Sequence, residues 1–212
     1  MAMPERYAHA ERLALADALL AAGPDAPTLC AGWATRDLAA HLVLRERRPD
    51  AAAGILLKPF AAHTKRVQDG LANGDYAALV AKVRNPQAWS LLRIGGIDEA
   101  MNISEFFVHL EDVRRATPGW TPRELPAGYE QAILRRTRAT ARLTIRKFPA
   151  TIVVRAPGAE PFQAGGGGER IEVRGAPGEL LMFFVGRQGA ANVELTGPAE
   201  LAAKLRTAPF GI

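Results

Sequence analysis

Glu105 and His109 stand four residues apart, a spacing that sets two side chains side by side on one face of a helix. Asp98, Asn102 and Asp112 continue that stripe. Ile103, Phe106, Leu110 and Val113 border it on one side, and Met101 and Val108 on the other. A polar row enclosed by apolar residues points into a helical assembly rather than to water. Far upstream, at about 100° per helical residue, His41 falls beside Leu38 and Leu42 on the inward stripe of its own helix, with Arg45 on the same side one turn on. His41, Glu105 and His109 together offer two imidazole nitrogens and one carboxylate oxygen. Catalytic zinc is often held by three such protein ligands with its fourth position left to water or substrate, and helical bundles build such sites from facing helices. The same spacing also fits a plainer arrangement, a weak surface ion pair plus a hydrogen-bonded core histidine. Spacing alone leaves both open.

Other chemistries find no support. Serine occurs only at Ser90 and Ser104, neither within GxSxG, so a hydrolase nucleophile elbow is absent. The run Gly165 to Gly168 lacks the Lys-Ser/Thr of a phosphate loop and reads as a flexible turn. The single cysteine, Cys30, excludes an intramolecular disulfide and any CxxC module, and with no base near it in sequence it reads as a small buried hydrophobe. Cysteine usage this low fits a reducing cytosol, so the expected location is cytoplasmic. Glu5, Arg6, Glu11, Arg12 and Asp17 interrupt every apolar stretch that a signal peptide would need, and no charge-free run is long enough to span a membrane.

The formal charge is +5 with a pI near 9.8, but only five of the 27 basic residues are lysine. That arginine bias fits a GC-rich genome better than selection for a polyanion, and net charge alone names no partner. Arg135, Arg138, Arg142 and Arg146 form a basic stripe without interleaved aromatics. It reads as a solvated or ion-paired face, so no specific nucleic acid is expected. His9 and His63 lack ligand-spaced partners and read as surface residues.

The elements that must position these residues follow from periodicity and punctuation. Helices are expected over 4–22, stopped by Gly23-Pro24, and over 35–48, with Thr35 as N-cap and Pro49 as terminator. Shorter helical pieces fill 51–84, the last capped by Asp75. The most strongly patterned helix spans 97–116, and a Pro-rich connector leads to a helix over 128–147. Beyond Pro149 the pattern changes: strands at 151–155, 170–174 and 192–196, and short helices at 179–185 and 198–206. The expected class is α+β, with a helical bundle at 1–148 and a small α/β domain at 149–212.

The stretch Cys30-Ala-Gly-Trp33-Ala-Thr-Arg-Asp-Leu-Ala-Ala-His41-Leu, followed downstream by Glu105-Phe-Phe-Val-His109, resembles the metal-binding domain of the mycothiol-dependent maleylpyruvate isomerase family, part of the DinB-like superfamily. The resemblance implies a DinB-like four-helix bundle holding a divalent metal, generally zinc, with His41, Glu105 and His109 as ligands. Asp112 matches a recurring acidic position behind them. The segments Glu179 to Arg187 and Val193 to Gly197 are similar to the family's small C-terminal domain, which is sterol-carrier-like. The run His41 to Asp50 departs from the isomerase pattern and is similar to an actinobacterial-type subgroup of metal-binding relatives.

The function implied is a zinc enzyme working with a low-molecular-weight thiol such as mycothiol on an electrophilic substrate, as an S-transferase or a maleylpyruvate-type cis-trans isomerase. Zinc with an open position would bind the thiol and favour its thiolate. The same site activating water would give a metal-dependent hydrolase; an ion that only braces the bundle would give a non-catalytic metal-binding or stress-associated protein. Arg45 and Arg187 are the candidates for binding substrate or cofactor. Arg187 follows the helix-ending Gly186, and a guanidinium suits bidentate capture of a carboxylate. A surface arginine paired with a nearby acid is the alternative reading of Arg187.

Overall fold

The computed structural model describes residues 7–85 and 97–210, with side chains throughout except those of 97–101. Asp98 and Met101, read above as part of the polar stripe and its border, therefore lie outside the described side chains. Contacts divide the chain into two compact units, Met1–Trp120 and Thr121–Ile212.

The first unit is helical: α1 (Tyr7–Ala22), α2 (Thr35–Arg47), a short α3 (Pro49–Ala52), α4 (Ala61–Ala72), α5 (Tyr76–Arg84) and α6 (Ile97–Arg114). α1 packs along α5 and α6, and α2 along α4 and α5. Three of these helices turn apolar stripes inward: Leu15 and Leu19 from α1, Leu38 and Leu42 from α2, Leu79 and Val83 from α5. α6 is buried on nearly every side, since Ile103, Phe106, Phe107, Leu110 and Val113 share its length with buried Asn102, His109, Glu111 and Asp112. A central helix with so many interior polar groups needs a partner for each of them, and this is where the chemistry collects.

Caps set the helix starts. Asp75 accepts from the Ala78 N–H at 2.6 Å, as its position before α5 predicted. Replacing it with alanine should cost about 1 kcal/mol in urea unfolding, the usual value of an N-cap; an unchanged midpoint would contradict that role. The start of α2 differs from expectation. Ala34, not Thr35, is the N-cap, and the Asp37 carboxylate accepts from its N–H at 2.9 Å. The Thr35 hydroxyl instead donates to the Gly23 carbonyl, tying the end of α1 to the start of α2.

The second unit contains α7 (Ala127–Thr144), β1 (Thr151–Arg155), β2 (Phe162–Ala164), β3 (Arg170–Arg174), α8 (Pro177–Phe184), β4 (Glu194–Thr196) and α9 (Ala199–Thr207). The sheet order is β2-β1-β3-β4, with β1 parallel to β3 and both outer pairs antiparallel. β2 was not foreseen. The turn after it needs glycine: Gly165 has φ +73°, and a Cβ there would lie 2.7 Å from the Ala150 carbonyl oxygen. α7 packs on α8 and β2. Contacts thus place it with the sheet, whereas the sequence reading had assigned it to a bundle ending at residue 148. Leu134, Ile152, Ile171, Phe183, Phe184 and Phe210 belong to this unit's core. The arginine stripe of α7 is largely exposed, with Arg138 donating to the Glu160 carbonyl at 2.9 Å and lying over the Phe162 ring. No described helix is long and apolar enough to cross a membrane.

Candidate metal centre

α2 and α6 bring His41, Glu105 and His109 together in the first unit. Glu105 Oε1 lies 3.5 Å from His41 Nε2 and 3.4 Å from His109 Nε2. The three donor atoms fall within 4.8 Å of one another. The i,i+4 spacing of Glu105 and His109 supplies two of them from one helix face; the inward stripe of α2 supplies the third. The two imidazoles meet edge to face with centroids 5.5 Å apart, and the Trp33 ring packs on His41 at 5.2 Å. Leu38, Leu42 and Val108, which flank the cluster residues in sequence, are buried.

The other ring nitrogen of His109 has its own partner. Nδ1 lies 2.9 Å from Asp112 Oδ2, and Asp112 is fully buried. With Nδ1 donating to this carboxylate, Nε2 is the nitrogen that faces Glu105 and His41. Carboxylates commonly fix a metal-binding histidine in this way, setting both its tautomer and its orientation.

Arg45 sits inside the cluster. Its Nε lies 3.4 Å from Glu105 Oε1, and its Nη1 donates to Asn102 Oδ1 at 2.9 Å. It thus restrains the candidate carboxylate ligand and explains the buried Asn102. Arg187 lies in the second unit, where its Nη1 donates to the Val185 carbonyl at 2.9 Å. Gly186 before it adopts φ +92°, ending α8 as its position predicted. His9 is exposed, and His63 faces Asp50 at 3.4 Å, away from any ligand cluster.

One participant was missed from sequence. Cys30 is only partly buried, and its Sγ lies 3.2 Å from Asp112 Oδ2. It is not the inert hydrophobe expected, because the loop between α1 and α2 carries it onto α6. The Leu29 N–H donates to the Asp112 carbonyl at 3.0 Å, and the Thr28 hydroxyl donates to the Trp33 carbonyl at 2.8 Å, closing the loop. Trp33 also lines an open cavity of about 370 Å³ whose polar wall includes Asp37, Lys65, Gln68 and Asp69.

The charges are tightly coupled. Burial works against an ionised Glu105, but hydrogen bonds to His109 and His41, with the charges of His109 and Arg45, hold its carboxyl well below the usual range. Burial likewise opposes charge on His109, yet Asp112, Cys30 and Glu105 hold its imidazole well above its ordinary value. In the metal-free protein a charged His109 therefore stabilises the fold fully below the ordinary imidazole pKa, and loses that contribution as the pH rises through its raised folded value. A cation taking Nε2 must displace the proton there, so metal affinity should rise with pH and binding should release a proton. Calorimetry in buffers of different ionisation enthalpy should give different apparent heats; identical heats would contradict the coupling.

No family model matches the chain, and no curated protein matches it in sequence. Among solved structures it is similar to the mycothiol-dependent maleylpyruvate isomerase, with a TM-score of 0.59 and 16% identity over 92% of this chain and 93% of that one. A histidine-to-alanine mutant of that isomerase matches with a TM-score of 0.59 and 15% identity over the same shares, 92% and 93%. At such identity the likeness is one of fold: the chain shares the α+β architecture of that isomerase.

Proposed function

We propose that this chain is a divalent-metal enzyme, most simply a zinc enzyme, that uses a low-molecular-weight thiol for S-transfer or for cis-trans isomerisation of an activated double bond. The observation that carries the reading is the convergence of His41 Nε2, Glu105 Oε1 and His109 Nε2 on one point, with Asp112 behind His109. Two neutral imidazoles and a carboxylate fit a borderline-soft divalent cation and leave room for an exogenous ligand. The likeness in fold to a mycothiol-dependent isomerase supports mycothiol as the thiol. The finer architecture proposed with it is a DinB-like four-helix bundle followed by a sterol-carrier-like domain.

In this reading His41, Glu105 and His109 hold the metal. When bound, the metal would supply a positive charge that favours a thiolate and polarises a substrate carbonyl. Asp112 keeps the His109 ring in the tautomer that presents Nε2. Arg45 steadies Glu105 and offers a guanidinium to an anionic ligand. Trp33 and the polar cavity beside it give the body of a hydroxyl-rich thiol an aromatic face and hydrogen-bonding partners. Arg187, in the second unit, is proposed only to bind an anionic ligand through its guanidinium.

A thermal-shift and turnover panel on metal-loaded protein tests this, comparing mycothiol, glutathione, bacillithiol and no thiol. Mycothiol should raise the melting temperature with the logarithm of its concentration, and turnover of an electrophile should require it. Arg187→Ala should leave metal content unchanged while weakening the anionic ligand. Hydrolysis of an ester or amide without any thiol would overturn the thiol-dependent reading in favour of a hydrolase.

A further inference from the structure

A second set of donors meets on the opposite edge of the His109 ring. Cys30 Sγ, Asp112 Oδ2 and His109 Nδ1 lie within 4.8 Å of one another, with Asp112 3.2 Å from the sulfur and 2.9 Å from the nitrogen. We infer that Cys30, Asp112 and His109 Nδ1 form a second cation position that takes soft, thiophilic metal ions. It shares only His109 with the position on the Nε2 side.

The chemistry of the donors distinguishes the two positions. His41, Glu105 and His109 Nε2 present nitrogen and oxygen alone. The Cys30 set adds a sulfur, and thiolate ligands select soft ions over hard ones. A thiolate and a carboxylate also balance a divalent charge, so the neutral imidazole completes a set with no net charge, which suits the buried Asp112 side. On binding, the cation replaces the thiol proton of Cys30 and the Nδ1 proton of His109, and both protons leave to solvent.

The position is also built in advance. The Leu29 N–H on the Asp112 carbonyl, at 3.0 Å, fixes the Cys30 loop to α6 through the backbone. Thr28 Oγ1 accepts from the Cys30 N–H at 3.2 Å and donates to the Trp33 carbonyl at 2.8 Å. Cys30 is therefore held against α6 by main-chain contacts that a cation need not break, and its partial exposure gives the ion a way in. Because an imidazole bonded at Nδ1 to a soft ion no longer donates to Asp112, the two positions should influence one another. Zinc on Nε2, which favours a proton on Nδ1, should weaken capture at Cys30.

Cadmium is the probe. Titrated into metal-free full-length protein, it should produce a sulfur-to-metal charge-transfer band in the ultraviolet. Cys30→Ser should abolish the band. His41→Ala combined with Glu105→Gln should retain it while losing zinc, which separates this position from the one under the proposed function. Preloading with zinc should shift the cadmium titration to higher concentrations. X-ray absorption at the cadmium edge of the wild-type protein, which needs no further substitution, supplies the ligand set directly. One sulfur with imidazole scattering supports the position. No charge-transfer band, or sulfur without imidazole, overturns it, the latter marking Cys30 as a lone surface thiol.

Discussion

His109→Ala should lose bound metal almost completely, because on the proposed ligation it removes one of three donors, the ring that meets both Glu105 and His41. Replacing a group that merely supports a metal-binding histidine costs about 10- to 100-fold in affinity. Removing the histidine itself should cost more than about 100-fold, since the donor set falls to two. Metal analysis after dialysis against a weak chelator reads the effect. His9→Ala, an exposed control, should leave the content unchanged. Equal stoichiometric metal in wild type and His109→Ala would show that the ion is held elsewhere.

Arg12→Ala should destabilise the helical unit by about 3–5 kcal/mol, the usual cost of orphaning one partner of a buried ion pair. Arg12 is buried on α1, pairs with Glu46 of α2, donates to the Val83 carbonyl of α5 at 2.8 Å, and lies 4.3 Å over the Phe106 ring of α6. One guanidinium thus ties together four helices, including the two that carry His41, Glu105 and His109. The loss comes chiefly from leaving Glu46 charged and unpaired: its side chain is only 8% exposed. Arg12→Met with Glu46→Leu should therefore recover most of it, because apolar replacements remove both desolvation costs. Urea unfolding monitored by circular dichroism would separate the variants. A double variant as unstable as Arg12→Ala would mean that the Val83 and Phe106 contacts carry the effect.

The grouping of His41, Glu105 and His109 was legible in sequence because its signals are local. A four-residue spacing places Glu105 beside His109, and the wheel of 35–48 turns His41 inward, so meeting across two helices needed only that the stripes face one another. Asp112 was legible for the same reason, being one turn beyond His109. Cys30 was not. Its contact with Asp112 joins residues 82 apart in sequence and depends on a loop whose backbone is pinned to α6, which no periodicity announces. Arg12 was equally hidden, since a helix wheel marks an arginine as outward unless its buried partners are known. In the second unit the longer strands and the helices follow from β-branched runs and Gly-Pro punctuation. β2 has only Phe162, Gln163 and Ala164, too short for an alternating pattern to register. The domain boundary moved because the amphipathic stripe of α7 fixes which face is buried but not what covers it. The structure puts α8 there.

Zinc-soaked crystals measured at the zinc absorption edge test the central claim most directly. The account predicts one strong anomalous peak within about 2.0–2.2 Å of His41 Nε2, of a Glu105 carboxylate oxygen and of His109 Nε2, with Asp112 still bonded to the far side of the ring. A zinc-loaded crystal with its peak away from these atoms, or with His41 and Glu105 still paired around an empty centre, would contradict it.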